Sequence, residues 1–234
     1  MYLTKYYHGL SSPRFFFRKL TYDDIVNWMD FYENNPNLKY LGIDLNRTRY
    51  EMAKAWIDTQ IERYEKNDFG QLGIILKETD ELVGTVGLII SKYCKQRTIE
   101  IAIAINPAYW KNGIGKEVTT TLINAVFENN FAETIVGRRH IDNYASQKCI
   151  QSLGFDEIGI QKEDLRTVVV FRLTKATWIK KHGFYYTTHQ RPDRHRHGRS
   201  GRAAGPASTR RHDHRADIRQ YRHRPGAGGG GKRL

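Results

Sequence analysis

Two hydrophobic periods alternate along the chain, and each change of period marks an element. Residues 15–20 read as a first strand. From Thr21 the period turns helical. Ile25, Trp28, Met29 and Tyr32 form one apolar stripe, opened by Thr21 with Asp24 three residues on, and Asn34-Asn35-Pro36-Asn37 breaks it. A longer helix is expected over about 47–66, with Tyr50, Ala53, Ile57, Ile61 and Tyr64 on its buried face and Gly70 closing it. The period then drops to two. Strands are expected at 71–77, 82–91 and 99–105, with Thr79-Asp80 in a hairpin turn and 92–97 as a polar connection.

The stretch 99–126 organises the rest. Ile99, Ile101, Ile103 and Ile105 alternate with Glu100, Ala102 and Ala104, so the two sets face opposite ways. Pro107 ends the strand because it has no N–H to donate. Gly113 and Gly115 follow, and then Val118, Leu122, Ala125 and Val126 recur at helical spacing to about residue 129. Beyond lie a short strand at 134–137, a helix at 143–152 ended by Gly154, and strands at 155–160 and 167–173. The order β-α-α-β-β-β-α-β-α-β-β joins antiparallel hairpins to a strand-helix-strand unit, which argues for an α+β fold with a mixed sheet.

A glycine-bearing turn opening a helix leaves backbone N–H groups pointing one way, and that suits a phosphate. Spacing alone is a weak signal. The turn matches neither GxxxxGK[ST] nor GxGxxG, so a P-loop NTPase and a dinucleotide-binding unit are both disfavoured.

Charge matters only once it is located. The chain of 234 residues carries a net +13. Residues 185–234 hold 12 Arg and one Lys against three Asp, so +10 of that charge lies in the tail. The rest is nearly balanced, with 25 basic and 22 acidic residues. The tail is rich in Arg, His and Gly, with Ile218 and Leu234 as its only Ile, Leu or Val, and is expected to be disordered. Its abrupt change of composition reads as foreign or out-of-frame sequence. A flexible cationic tail binds polyanions weakly and in a salt-dependent way, but aromatic residues for base stacking are scarce in it, so no specific nucleic-acid partner is expected.

Cys94 and Cys149 make neither a metal spacing nor a disulfide framework, and a reducing cytoplasm is the expected setting. The N-terminus shows no signal-peptide core, and the longest apolar run, 82–90, is too short to span a membrane. Three segments result: an N-terminal extension at 1–13, a folded domain at 14–184 and the tail at 185–234.

Over about 14–174 the chain resembles the GNAT N-acetyltransferase superfamily, and within it the ribosomal-protein N-terminal acetyltransferases of RimJ/RimL type. NPAYWKNGIGKEVTTTLINAVF, at 106–127, resembles that branch's acetyl-CoA motif, with Trp110 at the position usually held by Gln or Arg. IDNYASQKCIQSLGF, at 141–155, resembles its N-x-x-S…LGF segment. The element order is the third shared feature.

The resemblance implies a mostly antiparallel, twisted sheet with a splayed central strand pair, and acetyl-CoA as co-substrate in the gap. Its diphosphate would meet the loop of Trp110, Lys111, Asn112, Gly113, Ile114, Gly115 and Lys116. The pantetheine arm would pair with the strand edge at Ala104, Ile105 and Asn106, and would also meet Asn143 and Ser146. No metal is implied.

The acceptor would be a primary amine, at a protein N-terminus or on a small molecule such as an aminoglycoside or polyamine. Transfer would be direct, and the enzyme a monomer or homodimer. Glu100 is the candidate base. The family's usual acid is a Tyr four residues before the Gly of the LGF segment, and here that position is Ile150, which leaves Ser146, Tyr144 or water as candidate acids. Cys149 reads as a packed structural thiol and His140 as a surface histidine.

Overall fold

The computed structural model describes residues 9–67, 69–90 and 98–183. The expected connection at 92–97, Cys94, most of the N-terminal extension and the tail lie outside them. Strands β1 (Phe15–Arg18), β2 (Gly70–Leu76), β3 (Leu82–Ile89), β4 (Thr98–Ile105), β5 (Thr134–His140), β6 (Asp156–Lys162) and β7 (Thr167–Thr174) form one sheet in the order β1-β2-β3-β4-β5-β7-β6. Every neighbouring pair is antiparallel except β4–β5. Helices α1 (Asp24–Trp28), α2 (Arg49–Asn67), α3 (Ile114–Glu128), α4 (Tyr144–Ser152) and α5 (Lys175–His182) complete the fold, with 3-10 turns at Met29–Tyr32, Leu38–Tyr40 and Pro107–Tyr109. The expected α+β order is thus observed, with α5 added. Only Trp178 of α5 is buried, too little of a stripe to show as a period.

Local chemistry starts each helix. Thr48 and Glu51 form a reciprocal capping box at α2: the Thr48 N–H donates to Glu51 Oε2 at 2.8 Å, and the Glu51 N–H donates to Thr48 Oγ1 at 3.2 Å. At α1 only half of the expected box forms. Asp24 accepts the Thr21 N–H at 2.8 Å, while Arg18 grips both its oxygens at 2.8 and 2.7 Å. Gly113 opens α3 with φ of 73°, a left-handed conformation that costs a residue with a Cβ about 1 kcal/mol or more.

Helices bury apolar faces in two clusters. Val118, Leu122 and Val126 of α3 pack with Leu72, Ile74, Val86, Ile99 and Ile101 of the sheet. Ile25 and Trp28 of α1, Phe31, and Met52, Ala53 and Ile57 of α2 pack with Ile75, Leu82 and Ala104. Tyr50 is not on that face: it is 49% exposed in the first turn of α2, and Met52 is buried in its stead. None of the described helices is long and apolar enough to cross a membrane.

The position of the site follows from one pairing. Parallel strands β4 and β5 are hydrogen-bonded neighbours only at Thr98↔Thr134, Ile99↔Ile135 and Glu100↔Val136. Beyond that rung β4 continues to Ile105 and β5 turns away, staying paired with β7 to His140↔Val168. A wedge opens between them. Ile103, on the same face as the buried Ile99 and Ile101, is 40% exposed because it stands on the wall of this wedge.

Candidate active site

A cavity of ≈ 760 Å³ fills the wedge and runs from the Trp110–Gly115 loop, past β4 and the start of α4, to the side of α2 that carries Trp56, Gln60 and Arg63. At the loop end, the N–H groups of Asn112 through Lys116 meet no protein acceptor among the described residues. Lys111 and Gly113 are both left-handed, at φ of 65° and 73°, and curl the loop around the start of α3. Such an arrangement of amides at a helix N-terminus is an anion cradle. Arg14 braces it: its guanidinium donates to the Asn112 carbonyl at 2.9 Å and to Glu117 Oε2 at 2.7 Å. Ser12 donates to Glu117 Oε1 at 2.7 Å. Burial raises the Glu117 carboxyl, but bonds from Ser12, the Arg14 N–H and the Arg14 guanidinium outweigh it and hold the group below its ordinary value.

Along β4 the pairing decides which positions face the gap. The Asn106 N–H donates to Val83 at 3.0 Å, so by alternation Ala104 and Asn106 turn their main-chain groups toward β3. Ile101, Ile103 and Ile105 turn theirs toward the gap. This corrects the expectation of a free edge over 104–106: Ile103 and the Ile105 N–H carry it. The Ile105 carbonyl is held by the Trp110 indole at 2.8 Å, which gives Trp110 a structural task in closing the loop against the strand. The Asn106 side chain caps the next turn, accepting the Ala108 N–H at 3.1 Å.

At α4, Asn143 and Ser146 both line the cavity. Asn143 accepts the Ser146 N–H through Oδ1 at 3.1 Å, so its amide group remains to donate. The Ser146 hydroxyl has no protein partner among the described residues. Tyr144 is not brought to the site. It is 66% exposed and stands outside the cavity wall, with the Arg139 guanidinium 5.8 Å from its ring centroid. The first turn of α4 points it outward once Asn143 is the cap. Cys149 lies on the wall, half-buried; a Cβ on Gly115 would sit 3.6 Å from its sulfur, and burial pushes its thiol up. His140 packs its ring on Tyr40, centroids 4.8 Å apart, away from the cavity wall.

Glu100 is 2% exposed. Arg138 donates to its Oε1 from Nε at 2.8 Å and from the second guanidinium nitrogen at 2.7 Å. Its Oε2 is buried in the cavity wall and has no partner among the described residues. Arg138 also bonds Glu163 at 2.6 Å, Glu163 bonds Arg166 at 2.9 Å, and Arg166 donates to the Leu41 carbonyl at 3.1 Å. This charged chain ties β4 and β5 to the β6–β7 hairpin and the 38–40 turn. Sequence reasoning misses Arg63, Arg138, Glu163 and Arg166. Among the described residues no group of His, Cys, Asp and Glu is arranged to hold a metal.

Residues 14–156 match the family described as Acetyltransferase (GNAT) domain. The chain belongs to the GNAT acetyltransferase family. GNAT enzymes use acetyl-CoA as co-substrate, and the wedge with its amide cradle fits that donor. The Bacillus subtilis (strain 168) protein named Uncharacterized N-acetyltransferase YoaA is 27% identical over 154 residues, 66% of this chain and 86% of its own. Among solved structures, a GNAT-family acetyltransferase from Bacillus anthracis aligns with TM-score 0.57 and 16% identity over 71% of this chain and 98% of that one. RimL, a ribosomal L7/L12 alpha-N-protein acetyltransferase, aligns with TM-score 0.58 and 14% identity over 70% and 91%. These two share the GNAT fold with this chain.

Proposed function

We propose that the enzyme moves an acetyl group directly from acetyl-CoA to a primary amine in a ternary complex, and that the amine is a protein N-terminus. The observation that carries the reading is two features on the wall of one cavity that are unpartnered among the described residues: the amides after Trp110 and the buried Oε2 of Glu100. In this reading the amides of Asn112 to Lys116 and the side chains of Lys111 and Lys116 hold the diphosphate, and Ile103 and Ile105 hold the pantetheine amides, with Asn143 donating to the same arm.

Glu100 Oε2 takes a proton from the ammonium, directly or through water, while Arg138 fixes the carboxylate by its other oxygen. The freed amine attacks the thioester carbonyl. The C–S bond breaks as the C–N bond forms, and the proton that the nitrogen sheds on becoming an amide passes to the departing thiolate, relayed by the Ser146 hydroxyl or by water. Cys149 takes no part, since a thiol pushed up by burial is a poor nucleophile. The protein N-terminus is supported by the Trp110–Lys116 motif and the N-x-x-S…LGF segment of the RimJ/RimL type.

A panel of peptides with free N-termini, their blocked counterparts, spermidine and an aminoglycoside tests this, with mass spectrometry placing the acetyl group. The reading expects acetate on the α-amine of free peptides. Modification of spermidine or the aminoglycoside alone would overturn the acceptor, and no acetylation of any amine would overturn the transfer.

A further inference from the structure

Arg63, on α2, lines the cavity at the end away from the amide cradle. A guanidinium has five N–H donors and keeps its charge at any ordinary pH. Among the described residues Arg63 makes one bond, to Gln60 Oε1 at 3.1 Å, and no ion pair. Gln60 has nothing further to offer: its Oε1 also accepts the Gln71 N–H at 2.8 Å, and its amide donates to the Trp56 carbonyl at 3.2 Å. Burial pushes the Arg63 guanidinium down from its ordinary value, with nearby Glu100 acting against that and Arg138 adding to it. A cation held half out of water without a counter-charge is costly to keep.

Neighbouring charges do not answer it. Glu163 is engaged at both oxygens, by Arg138 and Arg166. Glu100 is engaged at Oε1 by Arg138, and its buried Oε2 has no partner among the described residues. Four guanidinium groups, of Arg63, Arg138, Arg139 and Arg166, thus line the cavity, against the two carboxylates of Glu100 and Glu163. Among the described residues Arg63 and Arg139 have no carboxylate at bonding distance; Arg139 is bonded instead to the His140 and Ile141 carbonyls and to Gln147, which leaves Arg63 with the fewest partners. The cavity wall therefore offers an unpaired cation at Arg63 and an unpaired acceptor at Glu100 Oε2.

We infer that the acceptor is an amine with a carboxylate a few bonds away, the carboxylate pairing with Arg63 and the amine with Oε2 of Glu100. The inference rests on the acceptor reading above and narrows it. On a protein N-terminus the carboxylate is an acidic side chain within the first residues. A free amino acid presents the same two groups. A polycation brings like charge against Arg63 and is disfavoured.

The test uses the full chain as wild type, Arg63→Gln and Arg63→Lys in about 0.15 M salt. Substrates are a peptide with Asp or Glu at its second position, the Asn or Gln isostere, free glutamate and spermidine. Turnover is measured with acetyl-CoA, and peptide affinity is measured calorimetrically with CoA present. The cationic tail contributes equally to all three proteins, so only differences between them are read. Unfolding midpoints shared within about 2 °C show that the variants fold.

The wild type is expected to prefer the acidic peptide over its isostere by about 10-fold or more in kcat/KM. Arg63→Gln brings the ratio close to one, and Arg63→Lys restores part of it. A ratio unchanged by Arg63→Gln, or spermidine as the best substrate, overturns the inference and leaves acetyl transfer standing. Acetylation of glutamate but not of acidic peptides keeps the Arg63 pairing and removes the protein N-terminus. Loss of acidic-peptide binding in Arg63→Gln with no turnover in any protein keeps the pairing and removes the transferase reading.

Discussion

Arg138 donates from Nε to Oε1 of Glu100 at 2.8 Å, two residues past the rung where their strands part. The pair stands at the apex of the wedge, where β4 loses its neighbour and the cavity begins. It does two things at once. It compensates a carboxylate that is 2% exposed, and it leaves the second oxygen of that carboxylate buried in the cavity wall without a partner among the described residues.

If Oε2 of Glu100 receives the amine proton, Glu100→Gln keeps the shape and loses the acceptor. We expect kcat to fall by about 100-fold or more, the range a positioned base contributes. KM for acetyl-CoA should move little, since the diphosphate cradle is at the other end of the cavity. Steady-state kinetics over both substrates separates these effects, and an equal rise in both KM values at unchanged kcat would argue for a binding role alone.

Cys149 lies on the cavity wall, so a covalent acetyl-enzyme is the natural rival to direct transfer. Burial pushes its thiol up, and Gly115 leaves it only ordinary contact distance. Cys149→Ser is expected to keep kcat within about threefold, whereas loss of a true nucleophile costs orders of magnitude. Intact-mass measurement of the wild type after mixing with acetyl-CoA should show no acetyl adduct.

Glu117 ties Ser12 and Arg14 to the first turn of α3, and those bonds hold its carboxyl below the ordinary 4.5. A lowered folded-state value means stability that is present above 4.5 and is lost as pH falls through the folded value. At neutral pH Glu117→Gln should be less stable than wild type by about 1 kcal/mol, modest because the pair is partly in water. The gap should close as pH drops below 4.5. Urea midpoints at several pH values check it, and a gap that persists at acid pH would show that shape rather than charge is lost.

How much of this is readable in the sequence depends on whether a feature is local. The glycine-bearing turn that opens a helix at 113–115 and the period-two run through 99–105 are local, and both are found. The helix expected at 143–152 is found over Tyr144–Ser152, with Asn143 as its cap. Tyr144 is misplaced because the residue after a cap can face either way until the cap is set. The charged chain is not local. β5 reads as ending at Gly137, and its last three residues, Arg138 among them, sit in a run of charged residues with no apolar alternation. With the Glu100↔Val136 register in hand, Arg138 falls on the same face as Glu100. Arg63 reads as an exposed helix charge because the wedge beside it exists only once two distant strands have parted.

The central claim is that amides clustered after Trp110 hold the diphosphate of acetyl-CoA at the mouth of the β4–β5 wedge. Calorimetric titration of the full chain with acetyl-CoA, repeated on Gly113→Glu, tests it most directly. The variant puts a side chain on a left-handed residue and a negative charge in an anion cradle. We predict one-to-one binding by the wild type and an affinity at least about 10-fold weaker in the variant, with its unfolding midpoint nearly kept. Equal affinity in the two proteins, or no binding by the wild type, would contradict the account.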